Sequence, residues 1–272
     1  MATTLETVPA AAARPARRAK ARGRLGPAGW AWMAGVGLYF FLPLFSMGVF
    51  SLWAGGDRYD LGSYRAALES GPMWQSLLLS LRLAVETVLV TQLLLIPTVL
   101  FVALRASKLR PLLELISILP FVIPAIVLVA GLTALYTGPS WWVSNPEFMT
   151  VGYVVLALPY TYRALDVGIR ALDVSTLTQA GLSLGASWTQ IFLRVIVPNL
   201  RSAIIGATLL TLAIVMGEFT FANVLLFNTF AVYINYIGQT SGGQAAALSL
   251  FSFVITWLAM LGILLAGGRR KS

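Results

Sequence analysis

The sequence predicts an all-α polytopic membrane protein with six transmembrane helices and a helix-turn-helix between the fourth and fifth. Of its 272 residues, 58% are hydrophobic and only 11% charged, with a mean hydropathy of +0.82, a balance that a soluble domain of this size cannot accommodate. The apolar residues come in long continuous runs. A helix crossing a hydrocarbon core of roughly 30 Å needs about 20 such residues, whereas barrel strands would alternate over segments of about ten. The chain also holds no Cys and no His, which excludes a disulfide framework, His-based acid-base chemistry and the usual zinc sites.

Six spans follow, near residues 29–53, 76–104, 112–136, 149–166, 200–222 and 245–267. The fourth carries Pro159 and is followed at once by Arg163 and Asp166, so its inner limit is the least defined. Pro97, Pro120 and Pro124 lie within apolar stretches, where kinks are tolerated if neighbouring helices satisfy the freed carbonyls. The domain plan is a basic, disordered tail over 1–28, a transmembrane domain over 29–268 with a loop at about 167–199, and a C-terminal end over 269–272. A cleaved signal peptide is disfavoured because the first apolar stretch is far longer than an h-region.

Lys and Arg mark the side of each loop. They gather in the N-terminal tail (Arg14, Arg17, Arg18, Lys20, Arg22, Arg24), between spans two and three, from Arg163 to Arg201, and at the C-terminus. Arg58, Arg65, Asp57, Asp60, Glu69 and Glu147 fall on the other side. Both termini are therefore expected in the cytoplasm. The net charge of +9 follows from this topology and does not call for a nucleic-acid partner; the tail is suited instead to anionic lipid headgroups.

The loop at 167–199 has the most definite pattern. Thr176–Leu184 is expected as a short amphipathic helix with Leu177, Ala180 and Leu184 at helical spacing, capped by Asp173 or Ser175. Gly185 ends it in the left-handed conformation, Ser187 caps a second helix carrying Trp188, Ile191, Phe192 and Val195, and Pro198 closes the unit. Small residues Ala180 and Gly181 would let a partner approach the backbone, while Trp188 and Phe192 would supply aromatic contact area. An interfacial hairpin without a partner is the plainer alternative.

Gln179-Ala180-Gly181, then Leu184-Gly185-Ala186-Ser187 and finally Val195-Ile196-Val197-Pro198 together resemble the Glu-Ala-Ala signature loop of type I ABC importer permeases. The similarity extends over roughly residues 72–267. Gln179 stands where that family usually has Glu, and Gly181 where it has Ala, so a salt bridge through the first position is not available. The resemblance implies a non-catalytic permease subunit that docks by this loop onto two cytoplasmic ATP-binding subunits, pairs with a second permease (a related chain or itself), and receives substrate from an extracytoplasmic binding protein. ATP and Mg would sit on the partner ATPase, and this chain has no cofactor of its own. No phosphate-binding loop of the form G-x-x-x-x-G-K-[ST] is present.

Charges inside spans are costly and mark functional or packing positions. Arg82 and Glu86 lie one turn apart in span two, able to pair. Glu218 sits in Met216-Gly217-Glu218-Phe219, followed by Asn223. With Gln92 these form the candidate translocation path, each weighed against a helix-packing role. Glu114, after Pro111, is expected to snorkel or to cap its helix. The outer aromatic residues (Tyr59, Tyr64, Trp74, Trp141, Trp142) suit a membrane belt or contact with a binding protein.

Within the resembled family, the short six-span form and the Gly217-Glu218-Phe219 segment are most similar to the polyamine, ferric iron, thiamine and aminophosphonate branch. Spermidine or putrescine is the leading expectation, with ferric iron, thiamine or aminophosphonate as alternatives. A secondary transporter is the alternative from another class, though the inverted internal repeats it would carry are not evident in this sequence.

Overall fold

A computed structural model describes residues 26–268. The N-terminal tail up to residue 25 and the C-terminal end over 269–272 lie outside the described residues.

Helix α1 runs over Pro27–Leu52 and continues through Pro43. The chain divides at Phe45 into two units. In the first, the α1 residues are apolar and largely exposed, as at Trp32 (75%) and Tyr39 (76%). The expected first span is thus a helix of the right length with apolar side chains on every face.

The second unit begins with the end of α1, where the Ser51 hydroxyl meets that of Tyr64 at 2.7 Å. A small hairpin follows, β1 (Trp53–Gly55) pairing antiparallel with β2 (Arg58–Tyr59). Gly55 and Gly56 make its turn with φ of +102° and +57°. The fold is therefore helical with one short two-stranded hairpin, an addition to the all-α expectation. Short helix α2 (Gly62–Leu68) leads to α3 (Gly71–Arg105), which Ser70 caps by accepting from the Met73 N–H.

The third expected span is two helices, α4 (Arg110–Val122) and α5 (Ala125–Leu135), with a bend of 107° between them. Pro124 explains the break. It has no N–H to give, and its ring pushes Ile123 out of the helical region to ψ of 117°. Pro120, by contrast, is carried inside α4.

After α6 (Ser140–Val143), α7 spans Phe148–Ala171, five residues past the expected end at 166. The charged residues that suggested a boundary are accommodated within the protein. Asp166, only 3% exposed, pairs with Arg110 of α4 and with Arg170 at 2.8 Å, so the helix continues and the loop expected from 167 begins at Leu172. Helices α8 (Val174–Ser183), α9 (Trp188–Ile191) and α10 (Val197–Asn199) follow, with a π-helical turn over Phe192–Ile196. Span five is also broken, into α11 (Arg201–Gly217) and α12 (Thr220–Val224). Helix α13 (Phe230–Gly238) precedes the last span, α14 (Gly242–Gly268).

Among the described residues, α1, α3, α11 with α12, and α14 are long and apolar enough to cross a membrane, and the bent α4–α5 pair makes a fifth if taken as one span. Helix α7 has the length but not the composition.

Helices α3, α7 and α11 pack on one another at the centre of the second unit. Polar groups join them: Thr161 and Thr211 share a hydrogen bond at 2.9 Å, and the Gln92 amide donates to the Ile204 carbonyl and the Thr208 hydroxyl at 3.3 and 3.2 Å. Gly168 lies against the Ala203 methyl, so any larger residue there would separate α7 from α11. Apolar side chains form two clusters. One gathers Met73, Leu83, Met149, Tyr153, Phe221 and Phe230; the other gathers Leu95, Leu165, Ile169, Val174, Ile191 and Leu200.

Candidate functional site

The α8–α9 hairpin is built from local capping. Asp173 accepts from the Thr176 N–H at 3.1 Å and from its hydroxyl at 2.6 Å, which fixes the start of α8. Those two bonds hold the exposed Asp173 carboxyl below its ordinary range. Gly185, at φ +78°, ends the helix: its N–H donates to Leu182 O at 2.9 Å and that of Ala186 donates to Gly181 O at 3.0 Å. Ser187 and Gln190 then cap each other reciprocally, each side chain bonding the other's backbone N–H, at 3.3 and 2.9 Å.

The faces of this hairpin differ from expectation. Its buried stripe is Val174, Thr178 and half-buried Leu177 and Gly181, with Thr178 made compatible by its bond to Val174 O at 2.7 Å. Ala180 and Leu184 are on the exposed side, together with Gln179, and Leu184 is 87% exposed. Gly181 serves the hairpin itself. A Cβ there would lie 2.8 Å from Cγ1 of the fully buried Ile191, so Gly lets α9 close onto α8. Trp188, 44% exposed, and half-buried Phe192 lie beside α3. Arg105 of α3 lies over the Trp188 ring at 4.7 Å, and Trp188, Phe192 and Ile196 line a cavity of about 420 Å³ with Pro97, Leu100 and Phe101. Pro198 sits in the first turn of α10, directly after the π-helical turn over Phe192–Ile196.

Within the second unit the hairpin is therefore anchored to three helices, α3, α4 and α7. Ile191 and Ile196 join the cluster formed by Leu95, Leu165 and Ile169, and the Arg110–Asp166–Arg170 group lies at the base of α8. Glu114 is 3.8 Å from Arg163, which replaces the expected snorkelling or capping role with a contact across to α7.

The candidate path residues do not converge. In α3, residues 87–104 carry no charge and extend roughly 27 Å at 1.5 Å per residue, close to a full bilayer core. Arg82 and Glu86 lie just beyond this stretch, at the end away from Arg105. They are paired at 2.8 Å, and Arg82 also contacts Glu147 at the start of α7, while the Thr150 hydroxyl bonds Glu86 at 3.3 Å. Gln92 is committed to α11, with its carbonyl oxygen buried and unpartnered.

Glu218 sits at the break between α11 and α12. Its carboxylate accepts the Phe221 N–H at 2.9 Å and so starts α12 beside the buried Tyr153. Asn223 is exposed on α12, and Leu226, 90% exposed, closes that helix in the left-handed region at φ +62°. The Phe221 ring fills the space left by Gly152, and α12 also packs on α5, so the two broken spans meet. Glu147, Arg105 and Asp166 were outside the candidate set. Their partners Arg82, Trp188 and Arg110 lie dozens of residues away, where no local spacing reports the contact; only the Asp166–Arg170 pair has helical i,i+4 spacing.

Residues 95–267 match the family described as binding-protein-dependent transport system inner membrane component. The chain belongs to this family. As such a permease it is a multi-pass membrane subunit of an ABC importer and serves transport rather than catalysis. It is similar to the spermidine/putrescine transport system permease protein PotB of Escherichia coli K12, 28% identical over 216 residues that cover 71% of this chain and 78% of the relative. PotB of Salmonella typhimurium SL1344 is 27% identical, covering 71% and 74%. The permease fold matches a bacterial ABC transporter involved in import of the acidic polysaccharide alginate, with TM-score 0.64 and 15% identity over 89% of this chain and 96% of the other. A second alginate transporter structure, in complex with a pentasaccharide-bound periplasmic protein, matches at TM-score 0.61 and 17% identity, covering 88% and 93%.

Proposed function

We propose that this permease forms half of the translocation pathway of a polyamine importer, carrying spermidine or putrescine across the bacterial cytoplasmic membrane. The likeness to PotB over most of both chains carries the substrate reading. Its six spans are α1, α3, the α4–α5 pair, α7, α11 with α12, and α14, with both termini and the α8–α9 hairpin in the cytoplasm. The burial of α7 against α3 and α11 supports counting it as a span, because its Thr150, Thr161 and Asp166 side chains are hidden from lipid.

The hairpin docks onto one of two ATP-binding subunits, which hold ATP and Mg. Its exposed side, with adjacent Gln179 and Ala180 and with Leu184 one turn on, is the contact surface, and the Arg105–Trp188 stack and the Ile191 cluster pass its movement to α3 and α7. A second permease completes the pathway, and an extracytoplasmic binding protein delivers substrate. Alternating access then follows from rocking of the helical bundle around the broken spans. The test is uptake of labelled spermidine by cells lacking their own polyamine importers and supplied with this chain, its ATPase and its binding protein. ATP-dependent uptake, competed by putrescine and not by thiamine, supports the reading; competition by thiamine or an aminophosphonate alone refutes the polyamine substrate.

A further inference from the structure

We infer that the groove between the end of α3 and the second limb of the hairpin is a binding site for an anionic phospholipid. The groove has a volume of about 420 Å³. Phe101 and Leu104 of α3 form one wall, Phe192 and Ile196 of the π-helical turn form the other, and Arg105 and Trp188 complete the lining. Its cation has no counter-charge. Arg105 is exposed, holds its guanidinium 4.7 Å from the centre of the Trp188 ring, and makes no ion pair among the described residues. Stacking occupies one face of the guanidinium and leaves the N–H groups at its edge, a planar fork that matches a phosphate. Lys108, three residues on and also exposed, likewise has no ion pair among the described residues. The acids of the same region are committed elsewhere, Asp166 to Arg110 and Arg170, and Asp173 to Thr176.

Depth identifies the occupant as an amphiphile. Residues 87–104 of α3 carry no charge and fit a bilayer core, so Phe101 and Leu104 stand at acyl depth and Arg105 at its edge, beside an indole suited to the same boundary. What fills this groove has an apolar body in the trough and an anionic head at its mouth. A soluble phosphate compound would meet Arg105 and leave the apolar walls uncovered. A zwitterionic lipid would bring its own ammonium towards two uncompensated cations, whereas an anionic lipid neutralises them. Because α3 supplies one wall and the hairpin the other, the bound lipid spans the joint between them. The inference rests on the proposed cytoplasmic placement of the hairpin, in a leaflet that holds anionic lipid, but not on the polyamine substrate or on ATPase docking. Lipid retention is read without either, so their failure and its own are distinguishable.

The test is native mass spectrometry of the full chain, purified in mild detergent and offered equimolar palmitoyl-oleoyl phosphatidylglycerol and phosphatidylcholine. With two unpaired cations at the head, the wild type should retain the glycerol lipid over the choline lipid by about tenfold. Arg105→Gln should remove most of that preference, Arg105→Lys should keep most of it, and Leu104→Trp should fill the trough and release the lipid with Arg105 in place. Monodisperse elution and unchanged helical circular dichroism guard against misfolding. Lys108→Gln, outside the Trp188 stack, gives a second reading, with the preference falling about threefold. Equal retention of the two lipids by the wild type would overturn the proposal, as would a preference undiminished in Arg105→Gln or a lipid that survives Leu104→Trp. Release of the lipid by free glycerol phosphate would overturn it in favour of a soluble phosphate site. Loss of lipid whenever an ATPase or a second permease is bound would overturn it in favour of a protein-covered face.

Discussion

At the scale of single residues, the hairpin separates two kinds of small or apolar position that sequence spacing treats alike. Gly181 faces Ile191 and Leu184 faces outward, although both fall in the same signature loop. Gly181→Val should crowd the packed interior and destabilise the hairpin by about 1–3 kcal/mol, measured as faster amide exchange in α8 and α9. Leu184→Glu should leave that exchange unchanged and remove ATPase retention. Asp173 gives a pH signature. Because its folded carboxyl titrates below its unfolded value, its contribution to α8 is fully present above the unfolded pKa of about 3.9 and is lost as pH falls through the lower folded value. Protection of the Thr176 and Leu177 amides should therefore hold from neutral pH down to about 4, fail below it, and lose this pH dependence in Asp173→Asn.

At the scale of elements, local signals were legible in the sequence and long-range ones were not. Asp173, Gly185 and Ser187 act within three residues of their targets, so the start, turn and restart of the hairpin could be read from the chain. Trp188 stacks with Arg105, far away in sequence, and its aromatic character gave no hint of that partner. Pro124 announced a kink. It did not announce a 107° break or the packing of α12 against α5, and the break at Glu218 was visible only as a charge, not as a cap for a new helix. The junction of α7 and α12 can be tested by a double-mutant cycle. Gly152→Leu alone should expel the Phe221 ring, and Phe221→Ala alone should cost about 3–5 kcal/mol; the pair together should be less destabilising than the sum, measured by denaturation in detergent.

At the scale of the whole molecule, composition places the chain in a membrane, and the signature loop points to the importer family. Helix α7 runs past its expected end because Asp166 is neutralised by Arg110, a partner on another helix. The candidate path residues were read as one set because all are polar within apolar stretches. In three dimensions Arg82 and Glu86 sit at one end of α3, Gln92 joins α3 to α11, and Glu218 starts α12. The central claim is that the α8–α9 hairpin is the surface on which the ATPases dock. Its most direct test is affinity purification of the tagged permease from native membranes, wild type against Leu184→Glu, with ATPase activity measured on the eluate. The account predicts that the wild type retains an ATPase with vanadate-sensitive turnover and that Leu184→Glu elutes intact without it. Equal retention by both, or a wild type that elutes alone and still transports on an ion gradient, would contradict it.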